Sequence, residues 1–587
     1  MSALVLAAIL VSAVIIATKG EDVFDTLPFT ACCAILTLYI LAFFHALPFA
    51  GWICGAGVIA LGVILVKRAR TQEKVPVPDT VRQRILDPQF LLALAIITTA
   101  AILAADRVVT WWDDINFWAN DAKYLWAAGG FAGKYGNVSP EFGDYPPAMA
   151  LWKWIFLSLS PHVYQEGLQF SAYHVLNLLL LLPLLKKTRQ FTHLIPRLIA
   201  VPAVLLLPSA VCALQFGGTA ADIPMGILYG ALLLTIREAG KSEGSSFVHA
   251  RITVYASVLV LIKSSGFYWA ILALAYALWV QRRPEKPENL KSARLTRLIP
   301  AILPILTWGT WLIYCLANRR IAKLTSEAVN FAGGRRAVAT DIGERLRVYL
   351  EAFFLWPLHE DRQITLDPSA GGMIGTLIIS CVILRCFITH SQAKLLNRAT
   401  VFFTVTALTT YGAIRAAHLT IFQTEEQYSD PFIMARSISR YGAPWMLGAL
   451  MIVLDRVAMA AANKSTAAIA IFLILPLLTA GYAGEARAFV TYRESRETDL
   501  AIREETIDPE GRAFLKYLAD HPEAADAGRI LFLRDPDLNH TVKDIYISYE
   551  ACPTPVVYAD YQPGMTEDEI RAMQNMYHAS EVWYQAE

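Results

Sequence analysis

Long apolar runs separated by short polar stretches recur along most of this 587-residue chain. The runs are continuous rather than alternating, and many reach the roughly 17–25 residues that a helix needs to cross a bilayer. Because only helices and closed barrels satisfy their backbone in lipid, and barrel strands would alternate, the pattern predicts a polytopic α-helical membrane protein. We predict about 14 membrane helices, near residues 3–17, 28–47, 49–66, 89–105, 168–185, 194–214, 223–236, 251–265, 267–281, 298–316, 371–389, 399–417, 441–457 and 464–482.

The pattern changes at about residue 483, where the chain becomes polar and helical stretches alternate with strand-like ones. This alternation predicts a small soluble parallel α/β domain. No glycine-rich nucleotide fingerprint follows its strands, so we assign it no cofactor and expect an accessory docking or lid role. Its predicted elements are helix 507–520, strand 529–535, helix 539–548, strand 554–560, helix 566–577 and strand 580–585.

Composition and charge agree with this class. Hydrophobic residues make up 55% of the chain and charged residues 17%, and the formal net charge is +1. No clustered basic face indicates nucleic acid as a partner. Cations gather in a few short segments, which predicts that those segments are cytoplasmic. They are 67–70, 186–189, 237–241, 281–286 and 390–398.

This orientation is consistent only if the short apolar run 147–159 does not cross the bilayer, so we expect an interfacial or re-entrant helix there. The loops 106–167, 317–370 and 418–440 and the C-terminal domain then face outward. We divide the chain into extra membrane helices with a cytoplasmic linker (1–88), a membrane domain (89–482) and an extracytoplasmic α/β domain (483–587).

The first outward loop contains VVTWWDDINFWANDAKYLW, residues 108–126, in which acids stand among tryptophans. Wound as one helix, this stretch separates into an apolar and a polar stripe, so we expect it to lie in the membrane interface with the polar stripe facing an aqueous cavity. The alternative is an aromatic belt with solvated acids. The apolar stripe contains Trp111, Ile115, Trp118, Ala122 and Leu125, and the polar stripe contains Asp113, Asn116, Asn120 and Lys123.

Acids at a membrane edge are costly to keep, which marks Asp113 and Asp114 as candidate functional residues. A further acid, Asp144, precedes Tyr145 and two prolines in EFGDYPPAMALW, where the prolines give the next helix a rigid start. A carboxylate beside a cavity can act as a general base toward an acceptor hydroxyl.

Cations occur at helix ends on the same predicted side: Lys263 in LIKSSGFYW, and Arg436 and Arg440 in ARSISRYGAPW. Each needs an anionic partner, which is either a protein carboxylate or a lipid-borne phosphate. Cations of this kind can stabilise the charge that develops on a leaving phosphate. Carboxylates for an acceptor, cations for a phosphate and aromatic planes for a sugar together predict sugar transfer from a lipid phosphate carrier.

The succession of an apolar helix, WDD, an interfacial helix, DYPP and a later RY..P resembles the GT-C superfamily of integral-membrane glycosyltransferases, which includes protein O-mannosyltransferases and aminoarabinose transferases. The resemblance covers roughly residues 89–460. It implies a polyprenyl-phosphate sugar donor, catalysis on the extracytoplasmic face and inversion at the sugar. It also implies that Asp113 is the catalytic carboxylate, Asp114 its acidic neighbour and Asp222 a second acid, with Arg440 at the phosphate.

We therefore expect an inverting glycosyltransferase of the bacterial inner membrane, active in cell-envelope glycan assembly on a glycan, lipid or protein acceptor. No cofactor is required, although hard oxygen ligands at Asp113, Asp114 and Asp222 would suit Mg²⁺ or Mn²⁺. The expected donor-phosphate ligands are Lys263, Arg436 and Arg440. The expected substrate-binding residues are Trp112, Trp118, Lys123, Asp144, Tyr145, Asp222 and Tyr441.

Two other functions fit parts of the sequence. One is a transporter or flippase of lipid-linked sugars, although such proteins place functional charges near the bilayer midplane. The other is a polysaccharide polymerase or ligase that uses a diphosphate-linked donor, favoured by the arginine-rich loop 317–370. That loop can also be interpreted as a basic amphipathic helix lying on anionic lipid.

Overall fold

The structure, a computed structural model, describes residues 2–71, 85–211, 218–239, 246–280, 290–358, 368–388, 390–422, 430–461, 469, 482–526, 528–534, 541–562 and 564–584. Helices account for most of these residues, and one three-stranded sheet lies near the C-terminus. The predicted fold class is confirmed at this level: a helical protein with a small C-terminal α/β domain. Most of the predicted helix 464–482 lies outside the described residues.

The α-helices form two runs along the chain. Those before residue 260 are Ser2–Ala17, Val23–Phe43, Ala50–Thr71, Pro88–Ala104, Asn120–Ala128, Ala148–Leu157, Gly167–Leu180, Leu182–Leu185, Leu194–Leu205, Asp222–Ala239 and Ser246–Leu259. Those after it are Gly266–Val280, Leu290–Ala317, Lys323–Ala332, Ile342–Leu355, Ala370–Leu384, His390–Thr420, Pro431–Ala461, Tyr482–Asp520, Pro522–Asp526, Thr541–Ala551 and Glu567–Tyr577.

The predicted count of about 14 membrane helices is not confirmed. Among the described residues, four helices are long and apolar enough to cross a membrane, and they are Val23–Phe43, Leu47–Ile64, Gly167–Gln190 and Pro431–Ala460. Seven further apolar helices are only 10–17 residues long. The prediction counted apolar runs, but several of the helices that form are too short, and the 18-residue helix Asp222–Ala239 contains three charged residues at its ends.

Two helices pack closely at the centre of the molecule, and we call Asp222–Ala239 and Pro431–Ala461 the central pair. Gly226 and Gly230 form a G-x-x-x-G spacing, in which the small residues let the backbones of two helices approach closely. A Cβ at Gly226 would lie 2.7 Å from a methyl of Leu447, and one at Gly230 would lie 2.3 Å from the sulfur of Met451. These glycines therefore fix how Asp222, on one helix, faces Arg440 on the other.

Separate groups of ion pairs lie at the two ends of the Asp222–Ala239 helix. Its 18 residues span about 27 Å. At the far end, Glu238 pairs with Lys187 and Arg251, and Arg251 also pairs with Asp25. This ion-pair network joins separate helices at the end where the sequence predicts the cytoplasm. The candidate site lies at the other end.

The C-terminal α/β domain begins with the Tyr482–Asp520 helix, which is interrupted at Asp508, where φ is +59°. Its strands β1 (Ile530–Arg534), β2 (Val556–Asp560) and β3 (Glu581–Trp583) form a parallel sheet in the order β2-β1-β3. The predicted alternation of helices and parallel strands is confirmed. It was recognisable because β1 and β2 are short apolar runs and each precedes a helix in the sequence.

Candidate active site

Charged side chains from four separate segments meet at the end of the central pair. Asp113 comes from the first large loop, Asp222 and Arg440 from the central pair, and Lys263 from the segment just before the Gly266–Val280 helix. The sequence predicted all four as site residues, and the structure brings them together. Only folding could do this, because their separations in the sequence range from 41 to 327 residues.

Arg440 is the centre of this group. Its Nη2 donates a hydrogen bond to Oδ2 of Asp113 over 2.6 Å, and its Nε lies 3.9 Å from Oδ2 of Asp222. That Nε is buried and has no hydrogen-bond partner among the described residues. The guanidinium carbon also lies 4.7 Å from the ring centre of Trp111. Arg440 is thus held between the carboxylate of Asp113 and the indole of Trp111, and its Nε–H donor has no hydrogen-bond partner among the described residues.

Asp222 and Lys263 form a tighter and more deeply buried pair. The Lys263 ammonium donates to both carboxylate oxygens, over 2.8 and 3.0 Å, and the two side chains are 6% and 1% exposed. The Asp113–Arg440 pair is 15% and 26% exposed, so its atoms can be reached from solvent. Asp113 and Arg440 are therefore the accessible part of the group, and Asp222 and Lys263 are its buried support.

Asp114 has a separate, structural environment. It is 1% exposed and accepts hydrogen bonds from the backbone N–H of Thr219 (2.9 Å) and from its hydroxyl (2.6 Å). Lys153 in turn donates to the Thr219 hydroxyl over 2.7 Å and to the carbonyl of Trp118 over 2.8 Å. Burial raises the pKa of Asp114 to about 6, although Lys153 and the bonds from Thr219 oppose the rise. Asp114 therefore anchors the loop to the turn before Asp222.

A π-helical turn over Asp114–Trp118 separates the two adjacent carboxylates into these different roles. Such turns insert an extra residue and frequently occur at functional sites. Asp113 lies at the start of the turn and faces Arg440, whereas Asp114 faces Thr219. Gly218 makes room for this arrangement, since a Cβ there would lie 3.0 Å from the Trp111 ring and 3.3 Å from Asp114 Oδ2.

Aromatic rings cluster beside the carboxylates, and they include Trp112, Trp118 and Tyr145, which the sequence predicted to bind substrate. The ring of Phe142 lies 5.9 Å from that of Trp112 and 5.0 Å from that of Tyr145, and Trp118 lies 5.6 Å from Tyr145. Burial raises the pKa of Tyr145 well above its usual value, so its hydroxyl stays protonated. These rings form an apolar wall next to Asp113.

Tyr441 and Arg436 extend the group along the Pro431–Ala461 helix. The Tyr441 ring stacks on Phe422 at 5.5 Å, and the Lys263 ammonium lies 5.2 Å from its centre. Arg436 precedes Arg440 by one helical turn and is exposed, with its guanidinium carbon 6.0 Å from the ring centre of Phe432. Arg436 therefore lies outside the buried group, on the same face of the helix as Arg440.

Two predicted substrate-binding residues lie elsewhere. Asp144 accepts a hydrogen bond at its backbone carbonyl from Trp311 (2.9 Å), and its buried Oδ1 has no hydrogen-bond partner among the described residues. Lys123 is buried and donates to the carbonyls of Tyr549 (2.6 Å) and Glu550 (3.3 Å), in the last turn of the Thr541–Ala551 helix. Lys123 thus caps a helix of the C-terminal domain and does not join Asp113.

The expectation that the polar stripe of residues 111–126 faces an aqueous cavity is wrong for Asn116, Asn120 and Lys123, which are buried, whereas Asp113 remains partly exposed. Asn116 accepts a hydrogen bond from Ser139 over 2.6 Å, and Asn120 donates one to Asn137 over 3.1 Å; all four side chains are buried. The prediction assumed one uninterrupted helix in an interface, but the π turn rotates the stripe and later parts of the chain cover it. The Ala148–Leu157 helix, predicted to be interfacial, is short as expected, and all ten of its residues are buried.

The C-terminal domain forms part of this cover and contacts the loop through charged and aromatic residues. Arg503 donates to the carbonyl of Val109 and pairs with Glu166 (3.2 Å) and Glu550 (3.1 Å). The Tyr549 hydroxyl donates to Glu166 over 3.0 Å. Apolar residues of both parts, including Val109 and Ile115 of the loop and Ile547 of the domain, share one core. The domain is therefore joined to the loop that carries Asp113.

The three carboxylates predicted as a divalent-cation site each have a different partner. Asp113 is bonded to Arg440, Asp114 to Thr219, and both oxygens of Asp222 to Lys263. Within the described ranges, no group of three or more His, Cys, Asp or Glu side chains could hold a metal ion. In this arrangement the three carboxylates do not form one ligand set.

Sequence reasoning missed Thr219, Lys153 and Trp111 as parts of the site. The signal for Thr219 was its place in the GGTAAD turn just before Asp222, and that for Lys153 was a lone cation in an otherwise apolar helix. A lone buried cation requires a partner, and here the partner network ends at Asp114.

Comparisons with family models, curated proteins and solved structures found no match to this chain.

Proposed function

We propose that this protein is an inverting glycosyltransferase that moves a sugar from a polyprenyl-phosphate carrier to an acceptor hydroxyl at the extracytoplasmic face of a bacterial inner membrane. The observation that carries this proposal is the Asp113–Arg440 pair, a partly exposed carboxylate bonded over 2.6 Å to a guanidinium with an unused donor. Sugar transfer from a phosphate carrier needs both a base and a phosphate-binding cation, and here the two adjoin.

In the proposed reaction, Asp113 accepts the proton of the acceptor hydroxyl as the hydroxyl oxygen attacks the anomeric carbon. The bond between that carbon and the phosphate oxygen breaks, and the electron pair leaves with the polyprenyl phosphate. Arg440, assisted by Arg436, stabilises the negative charge on the leaving phosphate. A single displacement of this kind inverts the anomeric configuration and forms no covalent sugar–protein intermediate.

Arg440 has two roles in this proposal. Without donor it is hydrogen-bonded to Asp113. A donor phosphate would compete for the guanidinium and draw it from Asp113, which would leave the carboxylate oxygen available to the acceptor hydroxyl only when the donor is present. The rings of Trp112 and Tyr145 would form the apolar wall against which the sugar lies.

The rival interpretations have less support. A polymerase or ligase needs free cations for a diphosphate, but three arginines of the 317–370 loop pair with acids of that loop: Arg336 with Glu327, Arg345 with Asp341, and Arg347 with Glu344 and Glu351. A transporter would place its charges near mid-membrane. Here the charged side chains of the candidate site lie at one end of the central pair.

The test is a transfer assay with purified full-length protein and synthetic polyprenyl-phosphate sugars that carry a radiolabel. Product should form from a monophosphate donor, with inverted configuration, and its formation should require Asp113. Transfer only from diphosphate-linked oligosaccharides would instead favour the polymerase or ligase. Movement of the intact lipid-linked sugar across a vesicle membrane without transfer would favour the transporter.

A further inference from the structure

A second concentration of cations surrounds a cavity of about 550 Å³ that the proposed reaction does not use. Arg385, His390, Lys394 and Arg398 line it, together with Trp279 and Val401. No acidic side chain lines it in the described part of the chain. A cavity with three permanent cations and no internal counter-charge favours an anionic ligand.

The cavity lies far from the candidate site. Trp279 is in the last turn of the Gly266–Val280 helix, whose first residue follows Lys263 of the site by only three positions. The length of that helix places the cavity about 20 Å from Lys263. Trp279 donates a hydrogen bond from its indole N–H to the backbone carbonyl of Arg398 over 3.0 Å, which joins the two helices at the cavity.

Exposed apolar residues lead away from the cavity along both helices. On the His390–Thr420 helix, Val401, Val405 and Leu408 are 49%, 53% and 74% exposed, and their spacing of four and three residues puts them on one face. Lys394 and Arg398 continue this face toward the cavity. A parallel stripe of Ile271, Leu274 and Leu278 is exposed on the Gly266–Val280 helix.

We infer that this cavity binds the phosphate headgroup of an anionic membrane lipid, whose acyl chains lie along the two apolar stripes. A phosphate oxygen accepts strong, charge-assisted hydrogen bonds from arginine and lysine. Basic pockets between membrane helices are suited to such headgroups, and tryptophan favours the same depth. A free phosphate would use the cations but not the stripes, which is why the lipid is the better ligand.

The experiment is native mass spectrometry of the delipidated full-length protein in neutral detergent, titrated with phosphatidylglycerol or phosphatidylcholine. The double variant Lys394→Gln/Arg398→Gln removes two cations, and Lys516→Gln/Arg571→Gln removes two exposed cations of the C-terminal domain as a matched control. Phosphatidylglycerol should bind the first variant about thirtyfold more weakly than wild type and bind the control unchanged. Val401→Asp, which places a negative charge in the cavity wall, should weaken binding similarly.

Three results would overturn the inference. They are equal binding of phosphatidylglycerol to wild type and Lys394→Gln/Arg398→Gln, equal binding of phosphatidylcholine and phosphatidylglycerol by wild type, and displacement of the lipid by inorganic phosphate at similar concentration. The last would indicate a site for soluble phosphate. Because the readout is bound mass and not sugar transfer, its outcome is independent of the proposed reaction.

Discussion

Arg440 donates a hydrogen bond to Asp113 over 2.6 Å although 327 residues separate them in sequence. The contact forms because the close-packed central pair presents Arg440 toward the first large loop, and because Asp114 anchors that loop to Thr219. The proposed base and the proposed phosphate-binding cation are thereby held together before any substrate binds. Such preorganisation is the main way in which a protein stabilises charge that develops in a reaction.

Arg440→Gln should lower kcat/KM for a polyprenyl-phosphate donor by about a hundredfold, because the phosphate loses a charged donor held in place. Arg440→Lys keeps the charge but not the planar guanidinium that can contact two acids at once, so it should restore only part of the rate. Steady-state kinetics of the two variants give this comparison. Equal activity of Arg440→Gln and wild type would rule out the phosphate role of this residue.

Lys263→Met should destabilise the fold by about 3–5 kcal/mol, because it leaves the carboxylate of Asp222 buried without its partner. The double variant Lys263→Met/Asp222→Asn should recover much of this loss, since it removes the unpaired charge as well. Thermal unfolding in detergent measures both effects. If the single and double variants had the same melting temperature, the pair would not be the buried support that we infer.

Asp114 should make stability depend on pH around 6. Its pKa rises from 3.8 to about 6 on folding, mainly through burial, so the folded chain holds this proton more tightly than the unfolded chain does. The resulting contribution to the free energy of unfolding is about 3 kcal/mol. It is fully present below pH 3.8 and is lost as pH rises through 6.

The comparison of wild type with Asp114→Asn isolates this group. Relative to Asp114→Asn, the melting temperature of wild type should rise as pH falls from 7 to about 5, whereas the exposed-site control Asp568→Asn should track wild type throughout. A constant gap between wild type and Asp114→Asn across this range would contradict the assigned pKa.

Arg503→Gln should loosen the C-terminal domain from the first loop, because it removes two ion pairs and a bond to the carbonyl of Val109. We expect faster proteolysis between the two parts and a transfer rate about tenfold lower, since small displacements of a catalytic loop are costly. Arg571→Gln, on an exposed helix of the same domain, is the control. Unchanged proteolysis and rate would show that the domain does not position the loop.

The sequence predicted the class of fold and the members of the charged group, but not how they are connected. Apolar runs and the alternation after residue 482 are local signals, so helices and the parallel sheet could be predicted from them. The motifs around Asp113, Asp222, Lys263 and Arg440 marked each residue separately. Their pairing depends on the central helices, whose glycines reveal a close approach only once the partner helix is known.

The errors have a common physical cause. Lys123 and Asn120 were assigned to a cavity because polar residues on an amphipathic helix usually face water. In the folded chain, the C-terminal domain and residues 137–139 supply the hydrogen-bond partners instead. A hydrogen bond to a partner outside the helix leaves no periodic signal in the helix, whether the partner is 17 residues away, as for Asn120, or 426, as for Lys123. The same limit explains why Thr219, 105 residues from Asp114, was overlooked.

The most direct measurement is transfer of a labelled sugar from a polyprenyl-phosphate donor by wild type, Asp113→Asn and Asp568→Asn, each checked for folding by its size-exclusion profile and melting temperature. If Asp113 is the base, Asp113→Asn should fold and lose transfer by at least about a hundredfold, while Asp568→Asn keeps the wild-type rate. A well-folded Asp113→Asn protein that transfers sugar as fast as wild type would contradict the account.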